Sequence, residues 1–231
     1  MKKLAVVTGG SRGIGKALVQ RFVAEGMQVI TCGRSQASLS LLESEVSPGN
    51  LLTFRADLSQ PESVTAFAEF VLTQPMAPSL LVNNTGSFVP GSLLEEPEGR
   101  LEQLMATNLY SSYHLTRALG PAMKAAGTGH IFMMASIASE VGYNSGASYA
   151  ITKHAQLGLH RVLREEMKPH GVRATVVMPG PVLTDSWEGV DIPAERFMPP
   201  EDVADAVWAA YALSPRTVIE EIVLRPQLGD L

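Results

Sequence analysis

Thr8-Gly9-Gly10-Ser11-Arg12-Gly13-Ile14-Gly15 is the stretch that decides how this chain folds. Before it runs Lys3–Thr8, an apolar segment of strand length. After it Ile14, Ala17, Leu18 and Phe22 recur on one face of a helix over Ile14–Glu25, stopped by Gly26. Gly9, Gly13 and Gly15 allow a tight turn, a close backbone approach to a pyrophosphate, and packing of helix on strand. The start of the helix adds amide N–H groups that an anion can use. The spacing is not the usual G-x-G-x-x-G. Gly10 to Lys16 also fits the opening of an NTPase phosphate loop, but Ala17 stands where magnesium binding requires Ser or Thr, which removes that reading. A glycine-rich turn with no ligand is the plain alternative.

Outward from this turn, strand-like runs alternate with helical patterns. The strands expected are Lys3–Thr8, Gln28–Gly33, Leu51–Asp57, Leu80–Asn83, His130–Ser136, Arg173–Met178 and Thr217–Leu224. The helices expected are Ile14–Glu25, Gln36–Val46, Glu62–Thr73, Glu102–Ala125, Tyr149–Lys168 and Glu201–Ala212, the third announced by Ser59 and Glu62 as a capping box. Such alternation requires parallel strands joined by right-handed crossovers. The expectation is a single α/β Rossmann-type domain: a doubly wound, mostly parallel seven-stranded sheet with helices on both faces. The least regular stretches, 86–98 and 179–200, follow strands, where ligands bind in such sheets.

Composition narrows the class. With 45% hydrophobic and 18% charged residues, 231 residues can supply one sizeable core. No apolar run approaches the ~18 residues that span a bilayer, and the start at Met1-Lys2-Lys3 leads into the turn too soon for a secretory signal. A net charge of −5 without a basic block argues against nucleic acid or membrane as partner. The single Cys32 suits a reducing, cytoplasmic setting. The five histidines show no spacing for a metal, and none is expected.

Tyr149 and Lys153 stand four residues apart at the start of a helix and so share a face. Reduction of a carbonyl needs a proton donor at the oxygen while hydride reaches the carbon. A phenol of pKa ~10 is a poor exchanger at neutral pH, and a neighbouring lysine cation brings it down. Ser136, thirteen residues before Tyr149, supplies a hydroxyl that can hold the substrate oxygen. Ser139 competes for that role but reads as a turn residue. Asn108 falls inside the fourth helical pattern, where asparagine is a mediocre helix former.

Together, Thr-Gly-x-x-x-Gly-x-Gly at 8–15, Asn83-Asn84-Thr85-Gly86, Asn108, Ser136, Tyr149-x-x-x-Lys153 and Pro179-Gly180-Pro181-Val182-Leu183-Thr184 resemble the short-chain dehydrogenase/reductase family, from Lys3 to about Leu224. The resemblance implies a hydride-transferring oxidoreductase acting on a small carbonyl or alcohol. Tyr149 would be the general acid/base, with Lys153 tuning it and binding the nicotinamide ribose. Ser136 would position the carbonyl. Asn108 would stand at a helix break and hold a water that relays protons to the lysine. The turn residues Gly9, Ser11, Arg12, Gly13, Ile14 and Gly15 would hold the cofactor. Asp57 and Leu58 would meet its adenine, Asn84 and Gly86 its ribose, and Pro179, Gly180, Val182 and Thr184 its nicotinamide. Thr85 departs from the family's alanine, adding bulk near the ribose.

The cofactor expected is NADP(H). The second strand ends Ile30-Thr31-Cys32-Gly33-Arg34-Ser35, without the acid that reads the ribose 2′-hydroxyl in NAD sites. Arg34, with Arg12 from the other side, suits a 2′-phosphate instead. The substrate pocket is expected from 87–90, 137–148 and a lid over 185–198 with Trp187, Val190, Ile192 and Phe197 for apolar contact. Leu157, Leu159, Val162 and Leu163 surround much of their helix, so the long helices are expected to join subunits in a homotetramer, or a dimer. Other readings are a silent NADP-binding sensor or scaffold, and epimerisation or dehydration with bound cofactor. The four retained catalytic residue types disfavour the first. The chain length, with no room for an added substrate domain, disfavours the second.

Overall fold

The structure is a computed structural model, and it describes residues 2–46, 49–142, 145–187 and 189–231. In chain order the elements are β1 (Leu4–Thr8), α1 (Gly13–Ala24), β2 (Gln28–Gly33), α2 (Gln36–Glu45), β3 (Leu51–Arg55), α3 (Pro61–Leu72) and β4 (Pro78–Asn83). Then come α4 (Arg100–Leu104), a π-helical turn (Met105–Tyr110), α5 (Ser111–Ala126), β5 (Gly129–Met134), α6 (Ala147–Met167), β6 (Val172–Pro179), α7 (Pro200–Ala212) and β7 (Glu221–Leu224).

All seven strands are parallel, in the order β3-β2-β1-β4-β5-β6-β7. Every residue of β1 is buried, as a strand covered on both faces must be. Its side chains alternate. Ala5 and Val7 join Leu18 and Phe22 of α1 and Val203 and Val207 of α7 on one face. Leu4 and Val6 join Phe67 of α3 and Leu115 and Leu119 of α5 on the other. The chain leaves β1 in one direction to β2 and resumes on the opposite side at β4. The strand order therefore reverses between β1 and β4, and a crevice opens at their carboxyl ends. The glycine turn sits there.

Several boundaries differ from expectation for visible reasons. The capping box at Ser59 is absent: Gln60 precedes α3, Pro61 opens it, and Ser59 donates from its amide and hydroxyl to Asp57 Oδ1 at 3.1 and 2.8 Å. The strand expected at 217–224 begins only at Glu221. The Thr217 carbonyl accepts from Arg173, which also binds the carbonyls of Ala210, Tyr211 and Leu213 and so caps α7. β5 ends at Met134, so Ser136 lies just past the strand in extended conformation. β3 ends at Arg55, leaving Asp57 in the following turn. The helix expected over 102–125 is split by the π-turn that contains Asn108.

Candidate active site

Steric and hydrogen-bond constraints shape the turn after β1 together. Gly9 and Gly13 adopt φ of +68° and +52°, a region that side chains disfavour. A Cβ on Gly15 would fall 2.2 Å from the Gly9 carbonyl oxygen. Gly10, which the motif reading passed over, is equally constrained: its Cβ would fall 2.1 Å from Thr31 Oγ1. That hydroxyl accepts from Gly10 N at 3.1 Å and donates to the Val7 carbonyl at 2.7 Å, pinning the turn to β2. The first backbone bond of α1 runs from Lys16 N to the Arg12 carbonyl. The amides of Gly13, Ile14 and Gly15 enter none among the described residues, as an anion-binding helix start requires.

Asn84 braces this turn. Its Nδ2 donates to the Thr8 and Gly9 carbonyls at 2.9 and 3.3 Å, while Thr8 Oγ1 accepts from the amides of Asn84 and Thr85, both at 2.9 Å. Thr85 Oγ1 packs 3.2 Å from where a Gly9 Cβ would stand, so the hydroxyl faces the turn.

Deeper in the crevice, the π-turn places Asn108 fully inside the protein. Its Oδ1 accepts from Ser87 N at 2.8 Å, and its Nδ2 donates to the Ser87 carbonyl at 3.0 Å and to Thr152 Oγ1 at 2.9 Å. Asn108 thereby ties the loop after β4 to α6. Lys153, on that helix, is 5% exposed and donates from Nζ to the Met134 carbonyl at 3.0 Å and Gln156 Oε1 at 2.8 Å. Burial pushes its pKa down to about 7. Its ammonium lies 5.5 Å from the centre of the half-buried Tyr149 ring, which Phe88 meets edge-on at 5.0 Å. Gly86 backs the lysine: a Cβ there would stand 3.7 Å from Nζ. Ser136 is buried and accepts from Ala138 N at 3.2 Å, a contact that leaves the hydroxyl proton for another acceptor. Ser139 lies in a short 3-10 turn with its hydroxyl enclosed.

The other expected residues occupy the rim. Thr184 lies against the glycine turn, its Cγ2 3.1 Å from a Gly13 Cβ position. Pro179 ends β6, Gly180 N donates to the Leu224 carbonyl at 2.8 Å, and Val182 bridges to Met198. The two ends of the 185–198 segment are thus joined, with Leu183 N donating to the Met198 carbonyl and Met198 N to that of Pro181. Phe197 is buried against Trp187 within this segment, whereas Val190 is exposed. Glu188 of the expected lid, and Tyr143 and Asn144 of the expected pocket, lie outside the described residues. Ser11 packs beside Gly33, Leu58 is buried, and Arg34 is exposed at the end of β2. Arg12 pairs with Asp185 at 3.4 Å, so its guanidinium reaches towards the 185–198 segment.

Three further residues were not singled out from the sequence. Arg55 ends β3 opposite Gly33 and donates from Nε to the Arg34 carbonyl at 3.3 Å, placing a second guanidinium at the end of β2. Glu96 accepts from Ser148 N at 3.3 Å and from Ser148 Oγ, capping the start of α6 where Gly146 offers no side chain. Gln156 lies one turn beyond Lys153 on the same face. Its spacing was the available signal, as Lys and Gln three apart on a helix are neighbours.

Residues 3–193 match the short chain dehydrogenase family model. Sepiapterin reductase of Chlorobaculum tepidum is 32% identical over 241 aligned residues, which cover 100% of this chain and 99% of that one. A metagenomic short-chain oxidoreductase solved in complex with NADP superposes with a TM-score of 0.85 at 33% identity, over 97% of each chain. An alcohol dehydrogenase from the archaeon Thermococcus sibiricus, complexed with 5-hydroxy-NADP, superposes with a TM-score of 0.91 at 28% identity, over 98% of this chain and 97% of that one. The matched sequence spans the glycine turn, the π-turn and the Tyr149–Lys153 helix, and the chain belongs to the short-chain dehydrogenase family of oxidoreductases.

Proposed function

We propose that this protein is an NADP(H)-dependent oxidoreductase that interconverts a small carbonyl compound and the corresponding secondary alcohol, with Tyr149 as general acid/base. The observation that carries this reading is Lys153. A lysine buried this deeply, with no carboxylate in contact among the described residues, is costly unless its charge has a use. The group within its reach is the Tyr149 ring. An ammonium beside a phenol favours the phenolate and makes proton exchange practicable near neutrality. In the reducing direction Tyr149 gives its proton to the substrate oxygen. Ser136, at the mouth of β5, donates a hydrogen bond to the same oxygen and holds it in register. Phe88 covers one edge of the tyrosine ring and presents an apolar wall.

The glycine turn fits a dinucleotide on its own geometry: Gly10 and Gly15 leave no room for a Cβ, so the turn packs closely on β2 and Asn84, and three amides at the start of α1 enter no backbone hydrogen bond among the described residues. When bound, the nicotinamide cofactor supplies or accepts the hydride. Preference for NADP(H) rests on the end of β2, where Arg34 and Arg55 stand together and neither enters an ion pair among the described residues. Arg12 joins them once the 2′-phosphate competes with Asp185, because an ion pair exposed to this degree is worth only about 0–1 kcal/mol. The NADP complexes of the two structural relatives support the same choice.

The protein is read as a cytoplasmic homotetramer. Among the described residues, no helix is long and apolar enough to cross a membrane. Exposed Tyr110, Tyr113, Ile151 and Val162 are available for subunit contact. Leu157 and Leu163 are not, since the protomer itself buries them. The test is a screen of purified protein with NADPH against ketones, aldehydes, diketones and 3-oxo esters, repeated with Tyr149→Phe. Turnover in the wild type and its loss in the variant is the expected result. Tight NADPH binding with no turnover anywhere in the panel would overturn the assignment in favour of a sensor.

A further inference from the structure

Gln156 is completely buried, and its amide is used at both ends. Oε1 accepts from Lys153 Nζ at 2.8 Å. Nε2 donates to the Asn108 main-chain carbonyl at 2.7 Å and lies 3.8 Å from Met133 Sδ. The amide orientation follows from its neighbours. Reversal would set an NH2 against an ammonium and an oxygen against a carbonyl oxygen, which is repulsive at both ends. The acceptor at Asn108 belongs to the π-turn, a widened stretch in which i→i+5 bonding replaces the α-helical pattern. One local distortion therefore buries the Asn108 side chain and supplies the carbonyl that anchors Gln156.

The consequence for Lys153 is geometric. An ammonium has three N–H bonds in tetrahedral arrangement. Two are committed, to Met134 O and Gln156 Oε1, and fixing two fixes the direction of the third. The chemistry of the anchor matters equally. A carboxylate at this position would hold the ammonium but cancel its charge, whereas an amide holds it and leaves the field intact. The Asn108 carbonyl accepts from the Gln156 amide at 2.7 Å and from Ser112 Oγ at 3.4 Å.

We propose that Gln156 is the positioning residue for Lys153: it aims the third N–H at the crevice and keeps the lysine charge unneutralised beside Tyr149. This rests on the reading of Tyr149 and Lys153 given above. Among the described residues, the groups facing the ammonium are few. α6 presents Tyr149 and Gln156, β5 the Met134 carbonyl, the π-turn Asn108, and the loop after β4 Gly86. Tyr149 is the one titratable side chain among these.

The experiment is the pH dependence of kcat for alcohol oxidation, in which Tyr149 must be deprotonated, for wild type, Gln156→Leu, Gln156→Glu and Tyr149→Phe. In Gln156→Leu the cation loses an acceptor, the lysine deprotonates more easily, and the phenolate loses support. In Gln156→Glu the tether survives but the charge is cancelled. Both variants should move the midpoint of the rising limb up by about one unit, with kcat at pH 7 falling about tenfold. KM for the alcohol should stay within about twofold in each. A folded variant of either kind that keeps the wild-type midpoint, whatever its thermal stability, overturns the proposal. If Gln156→Leu does not fold, the near-isosteric Gln156→Glu decides. Tyr149→Phe separates the two levels: activity there removes the underlying reading. Inactivity there, with unmoved Gln156 midpoints, removes only the role of Gln156.

Discussion

Gly15→Ala adds one methyl group at the start of a helix, and helix propensity alone expects it to stabilise the protein by up to ~1 kcal/mol. The structure reverses the sign. The new Cβ would lie 2.2 Å from the Gly9 carbonyl oxygen and 2.6 Å from Asn84 Nδ2. Neither neighbour is a flexible side-chain end. Gly9 is backbone at positive φ, and Asn84 is held by two hydrogen bonds to the Thr8 and Gly9 carbonyls. Overpacking costs about 1–3 kcal/mol where neighbours adjust, and the upper end applies here because both are fixed. Subtracting the gain in propensity leaves a net loss of about 2 kcal/mol, or about 4–8 °C in Tm for a domain of this size. The same displacement moves the amides at the start of α1, so NADPH should bind at least ~10-fold more weakly, equivalent to about 1.4 kcal/mol. Thermal melting followed by circular dichroism, with a fluorescence titration of NADPH, measures both. A Tm equal to or above wild type with unchanged affinity would refute the steric account of the turn.

Arg34→Asp should weaken NADPH by ten- to a hundredfold, the equivalent of losing a charge-assisted contact worth ~1.5–3 kcal/mol, and should improve NADH. An unchanged ratio of kcat/KM for the two cofactors, or a wild type that prefers NADH, would refute the 2′-phosphate assignment. Light scattering at micromolar concentration should give four times the 24.7 kDa protomer mass. A monomer would refute the assembly.

The order of strands and helices was legible because the apolar runs are separated by clear turn residues, and β1 with its glycine turn shows which edge of the sheet matters. Less legible was anything decided by competition between neighbours. Ser59 and Glu62 have the spacing of a capping box, but the Asp57 carboxylate takes Ser59 and Pro61 fixes where α3 starts. Leu157 and Leu163 read as surplus apolar surface on one helix. In the fold, Leu157 packs with Met133 and Met178, while Leu163 joins the cluster around Leu115, Leu119 and Met123. The proposed catalytic quartet was readable as residue types at motif spacing. The residues that hold it were not. Glu96 reaches Ser148 across 52 positions, and Arg55 meets the end of β2 only because β2 and β3 are adjacent and in register. Such partners are created by topology, and no local pattern announces them.

The central claim is that proton transfer at the substrate oxygen belongs to the Tyr149 hydroxyl, and Tyr149→Phe tests it with the least disturbance. Phenylalanine keeps the ring, its edge contact with Phe88 and its place beside Lys153, and removes only the proton donor. With an accepted carbonyl substrate and saturating NADPH, turnover should fall at least ~10²-fold, the lower range for general acid catalysis, while NADPH affinity stays within about threefold. Turnover near the wild-type rate in the folded variant would contradict the account.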